Sequence, residues 1–390
     1  MTKSPKAGTK ASPKKKRKFF SGKARGKDES VLRKLFYRIL LAANIILCFS
    51  LLMAYLAVHI SPDDFALPAF FGLAYPYLLL LNIIMIIIWA MLLRFEALIS
   101  LVIILLGVNH LFNYIQLFHN KGDKAGTFSI MSYNVRMFNY FEGKKGAVSQ
   151  KNIFDFVKSR KPDILCMQEF LVTGGASQAQ VLVNTATGIK YNSHVKLLGS
   201  GKSRYYGIAT FTRFPIVRKG EITHPHSSSI TLYTDVLIGK DTVRIYNNYL
   251  QSFRLRNIER SFVEEMAAQD QETITEMKSI SVSLKKGFIN RSLQAQKVKD
   301  NIKRSPYPVI VAGDFNDTPV SYAYSKIRRG LNDSFVNSGY GAGFTYRGNY
   351  PPNRIDYVLY DKSLTNSNFE IFKHKYSDHY PIMAWFKIKG

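Results

Sequence analysis

Pro308-Val-Ile-Val-Ala-Gly-Asp314-Phe-Asn316-Asp317-Thr-Pro319 is the stretch on which the fold turns. Its first half is apolar and β-branched, the composition of a buried strand, and the glycine, acids and amide that follow close it in a turn. Three other places have a similar design, an apolar run with acids, amides or a histidine at its end or edge. They are Ser129-Ile-Met-Ser-Tyr-Asn134, Asp163-Ile-Leu-Cys-Met-Gln-Glu169 and Ser377-Asp378-His379-Tyr-Pro381. Taken singly, each is explained by a turn or a solvated strand end. Taken together, they bring oxygen ligands, amides and an imidazole to one edge of a sheet. Hard oxygen ligands of that sort suit Mg²⁺, which binds few carboxylates and keeps room for water and substrate phosphate.

From Phe128 onward, short apolar runs separated by turns and helical segments predict a layered α/β domain. The string Gly313-Asp-Phe-Asn-Asp-Thr-Pro319, followed in order by Arg354-Ile-Asp-Tyr357 and Ser377-Asp-His-Tyr-Pro381, resembles the endonuclease/exonuclease/phosphatase superfamily. The resemblance covers residues 127 to 388. It implies a four-layer sandwich of two mixed β-sheets flanked by helices, with the site at one end. Position by position, it implies that Glu169 is the main metal ligand, with Asn134 and Asp378 beside the metal or its waters. Asp314 and Asn316 would orient or deprotonate the attacking water and hold the phosphate. His379 would contact a phosphate oxygen, with its ring oriented and kept charged by Asp356. The chemistry is coherent, since a dianionic transition state is stabilised by a divalent cation, an imidazolium and amide donors.

One position departs from the commoner pattern of the superfamily. After Val243-Arg-Ile-Tyr246, where many members read Asn-x-His-Leu, this chain reads Asn247-Asn248-Tyr249-Leu250. A tyrosine hydroxyl still donates to a phosphate oxygen but brings no positive charge near neutral pH. Tyr249 is therefore either a catalytic donor or a core residue. Between Gln251 and Arg304 the pattern predicts helices packed on a sheet, with a basic, solvated face through Lys285, Lys286, Arg291, Lys297, Lys299 and Lys303. Tyr340 to Pro352 reads as a loop in which substrate selection could reside.

Outward from this domain, the N-terminal third has a different composition. Residues 1–38 carry fourteen Lys and Arg against Asp28 and Glu29, and read as a basic disordered tail. Residues 39–118 hold three apolar stretches, Ile39 to Ile60, Phe65 to Leu93 and Ala97 to Phe118, each expected to be a transmembrane helix. The third gathers Asn109, His110, Asn113, Gln116 and His119 in its second half, the composition of an interfacial segment. Basic residues before the first stretch and Asp63 and Asp64 after it place the N-terminus in the cytoplasm, and three crossings put residues 120–390 outside it. The expected location is thus an inner or plasma membrane with an extracytoplasmic catalytic domain.

The net charge of +27 draws in phosphates without saying which molecule carries them. The two cysteines, Cys48 and Cys166, sit in apolar runs that are not expected to meet, which excludes a disulfide framework and a cysteine-based zinc site. The expected activity is Mg²⁺-dependent hydrolysis, with Mn²⁺ as substitute, of phosphoester and foremost phosphodiester bonds in nucleic acid or a phospholipid headgroup. The rival is a membrane-tethered, non-catalytic module that binds phosphate or nucleic acid on the same fold. Besides the bilayer and the phosphate-bearing substrate, the sequence calls for no obligate protein partner.

Overall fold

The computed structural model describes residues 27–118, 122–198, 204–224, 227, 229–253, 270–348 and 352–389. Two compact units divide the chain, Met1–Ile46 and Leu47–Gly390. In the first, the described part is the start of the helix Lys27–Leu56, so helix is already present well before the apolar stretch at Ile39.

The second unit is built on two mixed six-stranded sheets. One has the order β13 (Leu364–Ile371), β14 (Ile382–Ile388), β2 (Phe128–Asn134), β3 (Ile164–Thr173), β5 (Arg204–Thr212), β4 (Asn192–Leu198). The other runs β10 (Asn332–Asp333), β12 (Asp356–Tyr360), β9 (Val309–Asp314), β8 (Asp241–Tyr249), β7 (Ile230–Ile238), β6 (Ile216–Thr223). Ile130, Ile164 and Cys166 from the first sheet pack against Val243, Ile245, Ile310, Ala312 and Val358 from the second. Helices cover the outer faces: Lys144–Arg160 and Ala176–Thr187 on one side, Asp270–Lys303 and Tyr322–Arg328 on the other. Strands β2 and β9 are buried along their whole length, as central strands covered on both faces must be, which explains their unbroken apolar character. This is the four-layer arrangement expected from the sequence.

Chain direction decides where the site lies. β2 and β3 are parallel, as are β8 and β9, so Asn134, Glu169, Tyr249 and Asp314 come at or near carboxyl ends of their strands. β14 is antiparallel to β2, and β12 to β9, so their amino ends share those edges and deliver His379 and Asp356.

The helix Asp270–Lys303 departs from the solvated basic face read from its sequence. Lys285, Lys286, Lys297 and Lys303 are exposed, but Arg291 and Lys299 turn inward. Arg291 donates from Nε to Asp317 at 2.9 Å and from Nη1 to the Gln251 carbonyl at 2.8 Å, while Lys299 reaches the Arg329 carbonyl. A buried cation is tolerated when it is paired with a carboxylate and hydrogen-bonded in this way.

The apolar third differs from three straight helices. The helix Lys27–Leu56 contains a 26-residue span, Val31–Leu56, long and apolar enough to cross a bilayer. The second stretch is two helices, Leu67–Leu73 and Tyr75–Met91, bent by 70° with Pro76 at the start of the second, where a missing N–H costs no helical bond. The third is a ten-residue helix, Ala97–Leu106, about 15 Å long, and then a short helix, Val108–Phe112. The break falls at Gly107, where a Cβ would lie 2.0 Å from the Tyr55 ring. Asn82, the one polar residue between Leu78 and Met91, is buried and donates to the carbonyls of Leu78 and Leu47 at 2.8 and 3.2 Å. Cys48 lies 3.3 Å from its Oδ1 and 3.4 Å from the Ser100 hydroxyl. The two cysteines are both free and buried.

The residues after Leu47 are packed directly on the two-sheet fold. Leu51, Ala54, Tyr75, Leu79 and Tyr114 cluster with Val320. Gly72 comes so near that a Cβ there would sit 2.3 Å from the Val320 carbonyl oxygen. β1 (Ile115–Gln116) pairs with β11 (Gly341–Ala342), and the N–H of Gly343 donates to the Tyr114 carbonyl at 2.8 Å. The join is fixed by Arg354, fully buried, whose Nη2 meets both oxygens of Asp333 at 2.5 and 2.7 Å while Nη1 donates to the Asn113 carbonyl at 2.8 Å. Burial works against charge on Asp333, but Arg354 and then Arg328 outweigh it and hold the carboxyl below its ordinary value. Replacing Arg354 by Ala leaves Asp333 buried without its cation, a change that costs about 3–5 kcal/mol in such settings. Denaturant titration of the full chain in detergent is expected to show that loss, and a midpoint equal to the wild type would deny Arg354 this role.

Candidate active site

The site is a set of buried or half-buried polar groups tied to one another across the gap between the sheets. Asn134 Nδ2 donates to Asp314 Oδ2 at 2.9 Å and lies 3.4 Å from Glu169 Oε1. Tyr249 donates its hydroxyl to the same Glu169 oxygen at 3.0 Å. Asn316 donates its backbone N–H to Asp314 Oδ1 at 2.7 Å and its amide to Asp314 Oδ2 and the Leu250 carbonyl at 3.1 and 2.9 Å. Asp356 Oδ2 lies 2.9 Å from His379 Nδ1, and His379 Nε2 points to Asp314 Oδ2 at 3.8 Å. Seven of the eight residues singled out in the sequence therefore form one network. The eighth, Asp378, is next to His379, but its Oδ2 pairs with Arg136 Nε at 3.3 Å.

Local backbone geometry puts these side chains where they are. Glu169 has φ 49° and Asn316 φ 51°, left-handed values that non-glycine residues seldom adopt. At Glu169 the pairing of β3 with β5 slips between Met167 and Phe170, a bulge that re-aims the side chain. Gly313 has φ 134°, and a Cβ there would lie 2.1 Å from the Asn248 carbonyl oxygen, so only glycine lets β9 approach β8 just before Asp314. Left-handed residues also run from Arg136 to Asn139, where the Asn139 amide fastens the turn to Ser149 and to the Tyr376 carbonyl. Such conformations cost free energy and cluster at functional sites, where the surrounding structure holds them.

Burial and neighbouring charge set the protonation states. His379 loses solvation, which disfavours its charged form, yet Asp356 and Asp314 outweigh this and raise it to about 10. Burial raises Asp314 to about 7, against the opposing pull of His379. One ligand atom each from Asp314, Asp356 and His379 lie within 4.8 Å of one another, a spacing compatible with a metal. A protonated imidazole hydrogen-bonded to Asp356 has no lone pair to offer, so this trio is better read as a proton relay. Glu169 could hold a divalent cation, its neighbours Asn134 and Tyr249 making an oxygen and amide setting of the kind that suits Mg²⁺ or Mn²⁺. Asn134 Oδ1 accepts from the Arg136 N–H at 3.0 Å, so its amide nitrogen faces Glu169.

Other residues support the site without having stood out in the sequence. Gln168 donates to Asn247 Oδ1 at 2.7 Å, and Asn247 to the Ala209 carbonyl at 2.9 Å, a buried amide bridge between the sheets. Thr345 Oγ1 accepts the N–H groups of Ile355 and Asp356 at 3.1 Å each. The Tyr346 ring stands edge-on to His379 at 5.1 Å, and Ser377 Oγ donates to the Asn134 carbonyl at 2.8 Å. Gln168 and Asn247 were visible as polar letters inside apolar strands, the one signal that could have marked them.

Comparison with known proteins adds to this geometry. A sequence profile described as the endonuclease/exonuclease/phosphatase family matches residues 131–379, and one described as a domain of unknown function (DUF8431) matches residues 37–114. No curated protein matches the chain. Among solved structures, an endonuclease/exonuclease/phosphatase family protein from Leptotrichia buccalis is 16% identical, with a TM-score of 0.48, over 67% of this chain and 100% of that one. One from Bacteroides vulgatus is 16% identical, with a TM-score of 0.49, over 67% and 99%. The human nocturnin catalytic domain is 16% identical, with a TM-score of 0.48, over 68% and 95%. With the profile spanning more than half of the sequence, the chain belongs to the endonuclease/exonuclease/phosphatase family.

Proposed function

We propose that this chain is a membrane-anchored, Mg²⁺-dependent phosphodiesterase acting on nucleic acid or a phospholipid headgroup. The single observation that supports it most is the network joining Asn134, Glu169, Tyr249, Asp314, Asn316, Asp356 and His379 at one end of both sheets. A module that only bound phosphate would gain little from two buried carboxylates flanking a histidine, because they repel the anion. They are useful where protons move.

In this reading Glu169 would hold a divalent cation, with Asn134 and Asp378 beside it, and when bound it would supply positive charge for the phosphoryl oxygens. Asp314, raised towards neutrality, accepts a proton from water as the oxygen attacks phosphorus. Asn316 orients that water. His379, oriented through Nδ1 by Asp356, donates from Nε2 to a non-bridging oxygen whose negative charge grows in the transition state. Tyr249 steadies Glu169 through its hydroxyl and takes the place of a histidine without adding charge. The phosphorus–oxygen ester bond breaks, the leaving oxygen takes a proton from solvent while Asp314 gives its own up to solvent, and the products are a phosphomonoester and an alcohol. The loop Tyr340 to Pro352, whose residues 349–351 lie outside the described residues, brings Tyr346 against His379 and is the place for substrate selection.

Hydrolysis of a soluble phosphodiester by the full chain should need Mg²⁺ or Mn²⁺ and stop in EDTA. Glu169→Gln and His379→Ala should each lower turnover by roughly a hundredfold or more, the scale seen when electrostatic stabilisers are removed. Activity that persists in chelator, or near-native turnover in either variant, would refute the assignment.

Anchoring is supported by Val31–Leu56 and by the exposed apolar side chains of Tyr75–Met91 and Ala97–Leu106, among them Leu80, Ile87, Leu98 and Leu105. The eleven basic residues ahead of that span put the N-terminus in the cytoplasm, and the catalytic domain lies outside if the bent pair Leu67–Leu73 and Tyr75–Met91 supplies the second crossing and the shorter helix Ala97–Leu106 with the segment after it the third. A C-terminal alkaline phosphatase fusion should then be active and a fluorescent-protein fusion dark. The reverse pattern would place the domain in the cytoplasm.

A further inference from the structure

Away from the catalytic centre, a cavity of about 730 Å³ opens where the apolar segment meets the helix Tyr322–Arg328. Its lining shares no residue with the network around Asp314. On its polar side are Asn109, His110, Arg328 and Arg329, and no carboxylate lines it. Val58 and Phe112 supply apolar wall. Four polar residues that accumulate late in the third apolar stretch, Asn109, His110, Asn113 and Gln116, thus share one hollow with two arginines.

The cavity is already organised. Arg328 is held by Asn113 Oδ1 at 2.7 Å and the Tyr324 hydroxyl at 2.8 Å, and His110 is stacked on Tyr55 with ring centroids 5.2 Å apart. Arg329 is exposed, and among the described residues its guanidinium makes no hydrogen bond or ion pair. Fixed donors, an unspent guanidinium and no carboxylate describe a receptor for an anion, with guanidinium forks suited to phosphate oxygens. The missing carboxylates also disfavour a headgroup that carries an amine. The helix Ala97–Leu106, which ends three residues before the lining residue Asn109, leaves Leu98, Leu101, Val102, Leu105 and Leu106 exposed.

We propose that this cavity binds the phosphate of an anionic phospholipid whose acyl chains lie along Ala97–Leu106. The inference rests on the membrane-anchored reading above. Through Arg328, Asn113 and Arg354, a lipid bound there would brace the join between the apolar segment and the catalytic fold.

Native mass spectrometry of the full chain in neutral detergent tests this with dihexanoyl-phosphatidylglycerol, dihexanoyl-phosphatidylcholine and inorganic phosphate as probes. Phosphatidylglycerol should be retained in preference to phosphatidylcholine. Arg329→Glu, and to a smaller extent Asn109→Ala, should lower its retention, the first by tenfold or more, while Glu169→Gln binds like the wild type. Equal retention by Arg329→Glu would overturn the proposal. So would loss of binding in Glu169→Gln, which would put the lipid in the catalytic centre, or full competition by equimolar inorganic phosphate, which would make this a site for free phosphate. Release of the chain from membranes by alkaline carbonate would refute the anchored reading itself, and is scored separately from dependence on Arg329.

Discussion

The hydrogen bond from Asn134 to Asp314 is the interaction on which the site depends, because it joins the end of a strand in one sheet to the end of a strand in the other. Asp314 is fully buried, and a carboxylate out of water must be supplied with donors or take up a proton. Asn134 and Asn316 are those donors, and the charged His379 ring stands by with Nε2 3.8 Å from Oδ2. Each comes from a different element, so the two sheets cannot slide without stripping Asp314 of a partner. The demand for satisfied hydrogen bonds thereby fixes the spacing of the groups that would meet a phosphate.

The same logic extends below and beside the site. Gln168 and Asn247 repeat the inter-sheet bridge one layer deeper, and Arg354, paired with Asp333 of its own sheet, ties that sheet to the Asn113 carbonyl where the apolar segment is seated. Asn113 serves both Arg354 and Arg328, with its carbonyl for one and its side chain for the other. The strand pairing at Ile115 and Gln116 leads within a few residues to Thr345 and Tyr346, which hold Asp356 and His379. The apolar segment is thus joined to the walls of the site as well as to its surface.

Much of this was legible because the residues concerned end or edge apolar runs. Asn134, Glu169, Asp314 and His379 were marked by where the run stops; parallel pairing of β2 with β3 brings the first two to one edge, and the packing of the second sheet, which pairing alone does not give, brings Asp314 to them. What escaped were pairings between distant residues. Asp378 pairs with Arg136, brought to it by a left-handed turn that no residue type announced. Arg291 and Lys299 looked like a solvated face because helical periodicity does not reveal that Asp317 and the Arg329 carbonyl wait on the inward side. The 70° bend between Leu67–Leu73 and Tyr75–Met91 lay behind Pro76, which a count of apolar residues overlooks.

The central claim is that Glu169 holds a divalent cation while Asp314, Asp356 and His379 handle protons. An anomalous difference map from crystals of the full chain soaked in Mn²⁺ tests it most directly. A peak bonded to a Glu169 carboxylate oxygen, with His379 still paired to Asp356, is the expected result. A peak seated between Asp314, Asp356 and His379 with none at Glu169, or no peak in the site at all, would contradict it.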